Sequence, residues 1–210
     1  MTRMGRLIGV TVLGLLLTGV LATSAPAADV PLVDAVKAGD VAAVQALIAQ
    51  GIDVNAAAVD GTTPLHWAAS GQDAEIARLL LAAGAGVNVG NRYGVRPLSL
   101  ACADGNAPVI AALLDAGANP NTSRMEGETA LMTAARSGSV KAVKLLLDAG
   151  ADPNAREHWK GQTALMWAAA EGHAATIPAL VSHGADLSAR SNRGFTALLF
   201  AAREGQTDVV

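Results

Sequence analysis

A single cysteine, one tyrosine, two phenylalanines and three tryptophans are spread over 210 residues, and charged side chains make up only 16% of the chain. Each shortage excludes something. A lone Cys102 cannot form an internal disulfide, so stability has to come from packing. Aromatics at 3% leave little bulk for a thick globular core. The net charge is −3, and loss of Arg3 and Arg6 with the first 27 residues leaves −5, so no basic face for nucleic acid is present. Catalytic signatures are missing too: there is no G-x-S-x-G, no H-E-x-x-H and no phosphate-cradling glycine loop. A metal site would need several ligands converging on one ion; of the four histidines, His66 belongs to the repeat opening, His173 to a turn between helices and His183 precedes a capping glycine, which leaves His158 alone. The sequence therefore predicts no enzyme activity, no cofactor, no metal and no small-molecule substrate.

What the chain has is small apolar residues, 22 glycines, and self-similarity. "DGTTPLHWAASG" at Asp60 returns as "YGVRPLSLACADG" at Tyr93, "EGETALMTAARSG" at Glu126, "KGQTALMWAAAEG" at Lys160 and "RGFTALLFAAREG" at Arg193, at spacings of 33, 33, 34 and 33 residues. The second halves match as well: "VQALIAQGIDVN", "ARLLLAAGAGVN", "IAALLDAGANPN", "VKLLLDAGADPN" and "PALVSHGADLS". A fixed period of this size predicts a stack of supersecondary units that is one-dimensional rather than globular.

Each copy reads as a helix pair. Thr63 caps a first helix and Pro64 occupies its first position, where a missing N–H costs nothing. Leu65, Ala68 and Ala69 give a narrow apolar face; Ile76, Leu79 and Leu80 line a second helix that ends at Gly84. Pro178 falls about a turn inside its helix and predicts a frayed or kinked start. Cys102 shares the slot of Ala69, Ala135, Ala169 and Ala202 and reads as a small buried residue.

The period, with "TPLHWAA", "LLLAAGAGVN", "KLLLDAGADPN" and "EGH", resembles the ankyrin repeat family from about Pro31 onward. The resemblance implies an all-α ankyrin-repeat solenoid of stacked antiparallel helix pairs with projecting β-hairpin turns, whose business is binding another protein. Repeats are expected at 31–59, 60–92, 93–125, 126–159 and 160–192, with a truncated sixth at 193–210, in a domain over 28–210. Only one copy has the full "TPLH", so the histidine bonds that tie turns together in this family are largely missing, and looser coupling between turns is expected. The last copy stops where its second helix should begin, leaving Leu198, Leu199, Ala201 and Ala202 without cover.

Residues 1–27 follow another logic. A short basic stretch, a 16-residue apolar run and Ala25-x-Ala27 read as a secretory signal peptide cut after Ala27, which makes the protein periplasmic or secreted. The alternative is a retained membrane anchor, since the run is close to the ~17–25 residues of a spanning helix.

Carried onto this chain, the family's binding surface falls on hairpin tips and on the concave end of the first helix. The tips are Asp60 and Thr62; Arg92, Tyr93 and Val95; Met125, Glu126 and Glu128; His158, Trp159, Lys160 and Gln162; and Arg193 and Phe195. The helix-end positions are Ser70, Asp104, Arg136, Ser137, Glu171, Arg203 and Glu204. Tyr93, Trp159 and Phe195 lie in turns with no core to receive them, whereas Trp67, Trp167 and Phe200 share one first-helix slot and read as packing between layers. The single inserted residue makes "AREHWKG" the longest tip and the first choice for an affinity anchor. The functional expectation is an exported protein-binding scaffold. The alternative is an adaptor or stability module for a catalytic or membrane domain beyond residue 210.

Overall fold

A computed structural model describes residues 31–209. The expected signal peptide and its cleavage site lie outside the described residues, and no helix among those described is long and apolar enough to cross a membrane. Among the described residues eleven α-helices run in chain order: α1 Pro31–Lys37, α2 Val41–Ala49, α3 Pro64–Ser70, α4 Ala74–Ala82, α5 Pro97–Ala103, α6 Ala107–Asp115, α7 Ala130–Ser137, α8 Val140–Asp148, α9 Ala164–Ala170, α10 Ile177–Ser182 and α11 Ala197–Glu204. The odd-numbered helices stack on one another as one row, and α2, α4, α6, α8 and α10 form the other.

Repetition in the sequence becomes repetition in the core. Leu65, Leu98, Leu131 and Leu165 occupy one slot of the first helix and are fully buried. Leu80, Leu113, Leu146 and Leu180 do the same in the second. The next member of the first series, Leu198, is 53% exposed and Leu199 is 47% exposed, because no layer among the described residues covers that side of α11. The expectation of a fully bare face is corrected for Ala201, which packs wholly inside, while Ala202 is exposed; Phe200, expected to pack between layers, is buried. α11 packs against α9.

Local chemistry sets the helix starts. Thr129, Thr163 and Thr196 accept from the N–H groups of Met132, Met166 and Leu199. Asp40, Asp73, Asn106 and Ser139 cap four of the second helices in the same way. His173 makes no such cap, and Pro178 has no N–H to give the Ala174 carbonyl. The chain answers with a 3-10 turn over Ala174–Thr176, in which Ile177 N–H donates to Ala174, and α10 starts only after it. Each second helix then reverses at a glycine; at Gly84, φ is +90°, a conformation that a side chain would strain.

The layers are tied more tightly than the scarcity of "TPLH" predicted. Asn55, Asn88, Asn121 and Asn154 recur at the turns after α2, α4, α6 and α8, and every one makes the same two bonds to the next layer. Asn88 Nδ2 donates to the Gly117 carbonyl (2.9 Å) while its Oδ1 accepts from Asn119 N–H (2.9 Å). Asn121 repeats this with Gly150 and Asp152, Asn55 with Gly84 and Gly86, and Asn154 with Gly184 and Asp186. An amide offers a donor and an acceptor at once, which is what spanning two layers requires. A second ladder runs along the inter-helix turns, where Asn106, Ser139, His173 and Gln206 each bond a carbonyl of the preceding layer. The histidine bonds are scarce, and other groups replace them.

Candidate protein-binding surface

The projecting turns are short. In each, the first residue donates its N–H to the returning arm, from Ala58 to Thr62, Asn91 to Val95, Arg124 to Glu128, Glu157 to Gln162 and Ser191 to Phe195, and the turn glycine donates back to the first residue's carbonyl. Among the described residues the expected hairpins form no continuous strand, and Ser123 with Thr129 makes an isolated antiparallel bridge. Neighbouring tips are stitched by backbone bonds from Arg92 to Asp60, His158 to Glu126 and Asn192 to Lys160. Between the tips at Tyr93 and Met125 no such bond occurs among the described residues. There Arg96, standing where other layers have a capping Thr, reaches Asn88 and Ser123 carbonyls and Thr122 Oγ1.

His66 shows how one tip is held. Its Nδ1 accepts from Thr63 N–H (3.2 Å) and faces the Thr63 hydroxyl (2.8 Å), so Nε2 carries the proton and donates to the Val95 carbonyl (3.0 Å). Burial pushes its pKa below the ordinary imidazole value, although the Val95 carbonyl and the Asp60 carboxylate pull the other way. Asp60 accepts from Thr62 N–H (2.9 Å), which holds its carboxyl below the usual range. Asp186 is lowered likewise, by the Ser188 hydroxyl and N–H. Cys102 is buried and its thiol is pushed up to about 12, so it is not a nucleophile.

The longest tip is organised by a residue the sequence reading did not single out. Glu157 turns its carboxylate inward to accept from Trp159 N–H (2.7 Å), Lys160 N–H (2.8 Å) and Gln162 N–H (2.9 Å). Burial alone would raise its pKa; the three N–H groups outweigh it, and the group stays ionised below the ordinary carboxylate value. With its backbone donors satisfied inside, the tip presents its side chains outward. His158 lies with its ring over Gly127, where an added Cβ would meet it at 2.8 Å.

Most expected contact residues are exposed: Arg92, Tyr93, Met125, Glu126, His158, Trp159, Lys160 and Arg193 at the tips, and Ser70, Asp104, Arg136, Ser137, Glu171, Arg203 and Glu204 at the helix ends. Asp60 is half-buried. One slot departs from the expectation as a group. Thr62, Val95, Glu128, Gln162 and Phe195 are equivalent, and none is exposed, because this returning arm turns toward the first helix. Thr62 is buried. Glu128 is held by Arg136 (3.5 Å) and by the Thr133 hydroxyl (2.9 Å). Phe195 packs on Phe200 with ring centres 5.6 Å apart, and so is not the bare aromatic that its turn position suggested. The exposed apolar row consists instead of Tyr93 (65%), Met125 (79%) and Trp159 (75%), with Val59 at the first tip. Val59 was missed, although it shares the slot of Arg92 and Met125.

Behind the tips, cations lie over aromatic faces. Lys37 Nζ sits 4.1 Å from the centre of Trp67, the Arg136 guanidinium 5.0 Å from Trp167 and the Arg203 guanidinium 5.0 Å from Phe200. Trp67 and Trp167 are half-buried rather than wholly packed between layers, and their indole N–H groups have no protein partner. No cluster of metal-ligating side chains occurs among the described residues.

A family model for ankyrin repeats matches residues 32–124, 84–157 and 149–210. The fold is similar to the crystal structure of EF0377, an ankyrin repeat protein, at 30% sequence identity and a TM-score of 0.78, over 85% of this chain and 94% of that one. No curated protein matches the chain. The helix pairs, the matched spans and the structural likeness agree, and the chain belongs to the ankyrin repeat family.

Proposed function

We propose that this array is an exported scaffold, with a leader over 1–27 and repeats over 28–210, that grips a partner protein by its tips and by the concave ends of its first helices. Ankyrin repeats are generally non-enzymatic protein-interaction modules, which supports this reading. The observation that carries the reading is the row of Tyr93, Met125 and Trp159. Three large apolar side chains stand exposed on consecutive tips, where none contributes to the stack. Asp60, Thr62, Val95, Glu128, Gln162 and Phe195 act on this reading as supports that aim their neighbours. Export rests on the basic and apolar N-terminal pattern alone.

One fractionation experiment tests both parts. A tagged chain is recovered from the exported fraction, its N-terminal residue read by mass spectrometry, and the protein that stays bound identified. The mature chain begins at Ala28, and Tyr93→Ala/Met125→Ala/Trp159→Ala loses the partner while keeping helical circular dichroism and stability within ~0.5 kcal/mol. Recovery only from the cytosol with Met1 intact overturns export. Undiminished capture by the triple variant overturns the tip assignment.

A further inference from the structure

The tips are not equivalent in charge, and one space between them is built for a particular kind of occupant. A cavity of about 370 Å³ opens between the tip at 157–162 and the tip at 191–195, at the small end of the ~300–1,000 Å³ typical of ligand pockets. Trp159 forms one apolar wall; Phe195 and Phe200 form the other. Lys160, Arg193 and Arg203 also line it, and no carboxylate does. Arg203 is neutralised by Glu204 at 2.6 Å. Lys160 lies over the Trp159 ring at 4.6 Å, and neither it nor Arg193 has an ion pair among the described residues.

Resting on the scaffold reading above, we infer that this pocket binds an internal extended segment of the partner in which an Asp or Glu stands beside a bulky apolar residue. The apolar side chain fills the space between Trp159 and Phe195, and the carboxylate meets Lys160 and Arg193. Partial enclosure by aromatic walls lowers the local dielectric, so these two cations act more strongly on a carboxylate than they would on an open surface. The segment is internal rather than a chain end because a second groove of about 140 Å³ adjoins the pocket and shares Trp159, Lys160 and Gln162; its remaining lining includes Glu126, Glu128 and Glu157, which leaves the segment's own acid to the first pocket. A peptide lying in both has chain on either side of the acidic residue.

The probe is a phage library of random 12-residue segments, flanked on both sides, selected on the full chain, with the recovered segments then measured as synthetic peptides with amidated ends. Selected segments carry Asp or Glu within two positions of Leu, Ile, Met, Phe or Trp. Lys160→Glu/Arg193→Glu weakens their binding by at least ~10-fold, and changing the peptide's own acid to Lys restores affinity on that reversed variant to within ~3-fold. The restoration shows that the variant is folded. Neutral or basic selected segments, no selected segment, a requirement for a free C-terminal carboxylate, or failure of the charge exchange each overturn the inference. A segment lost with Tyr93→Ala/Met125→Ala yet indifferent to the reversal removes this pocket and leaves the scaffold intact; an intact chain that retains no protein in the fractionation experiment removes the scaffold itself.

Discussion

The two long edges of the array obey opposite rules. Along the edge behind the second helices, Asn55, Asn88, Asn121 and Asn154 repeat one side chain, one geometry and one pair of partners. Along the tips, the equivalent slots hold Val59, Arg92, Met125 and the His158–Trp159 pair, and these side chains share no recurring bond. Where the residue repeats, it holds layers together. Where it changes from copy to copy, the fold makes no demand on it, and the surface is available for recognition.

Breaking the regular edge gives the largest expected effect. Asn88→Ala/Asn121→Ala removes four bonds between layers, each worth about 0.5–1.5 kcal/mol net, and solvent regains part of that, so a loss of about 2–3 kcal/mol is expected in urea unfolding. Coupling between neighbouring layers falls as well, and the transition broadens because a one-dimensional stack depends on its nearest-neighbour terms. The tip triple variant is the contrast, with unchanged stability. If the asparagine double variant unfolded at the same urea concentration as the parent chain, the distinction between the edges would collapse.

Glu157 sharpens the comparison, because it is a structural residue set into the variable edge. Glu157→Gln replaces one oxygen of a carboxylate that accepts four backbone contacts by an amide nitrogen facing N–H groups. A loss of about 1–2 kcal/mol follows, comparable to one hydrogen bond to a charged acceptor. It is accompanied by faster amide exchange at Trp159, Lys160 and Gln162. Exchange rates equal to those of the parent chain would mean that the tip holds its shape without this carboxylate.

The sequence made the helix pairs legible because a 33-residue period constrains where helices start and stop. The glycines, the capping threonines and Leu65, Leu98, Leu131 and Leu165 could be placed without coordinates. The period says where a residue recurs but not what it touches. The asparagines were visible as part of the "GADPN" ending, yet their partners lie 29 to 32 positions away in the next layer. Direction was the second gap. Phe195 and Trp159 are both aromatics in turns, but one sits on a returning arm and is half-buried, and the other stands exposed. Aligning Phe195 with Thr62, Val95, Glu128 and Gln162 was possible from sequence; that the whole slot faces inward was not.

The smallest expected effect lies where the two rules meet, at His66, whose bond to Val95 joins one tip to the next layer. Its pKa is lowered by folding, so the unfolded chain takes up a proton first as the pH falls through the ordinary imidazole value. The unfolded state then binds more protons than the folded one, and stability declines with falling pH until the folded form is protonated too. Burial drives this, while the Val95 carbonyl and Asp60 restrain it, so the decline is modest. In urea unfolding between pH 7 and pH 5, the parent chain should lose more stability than a His66→Gln variant, whose amide can still donate to Val95 but has no proton to gain. The carboxylates held low in the fold, Asp60, Glu157 and Asp186, begin to matter only below that window, and they contribute equally to both chains. Parallel pH profiles for the two would show that His66 is as easily protonated in the stack as in the free chain.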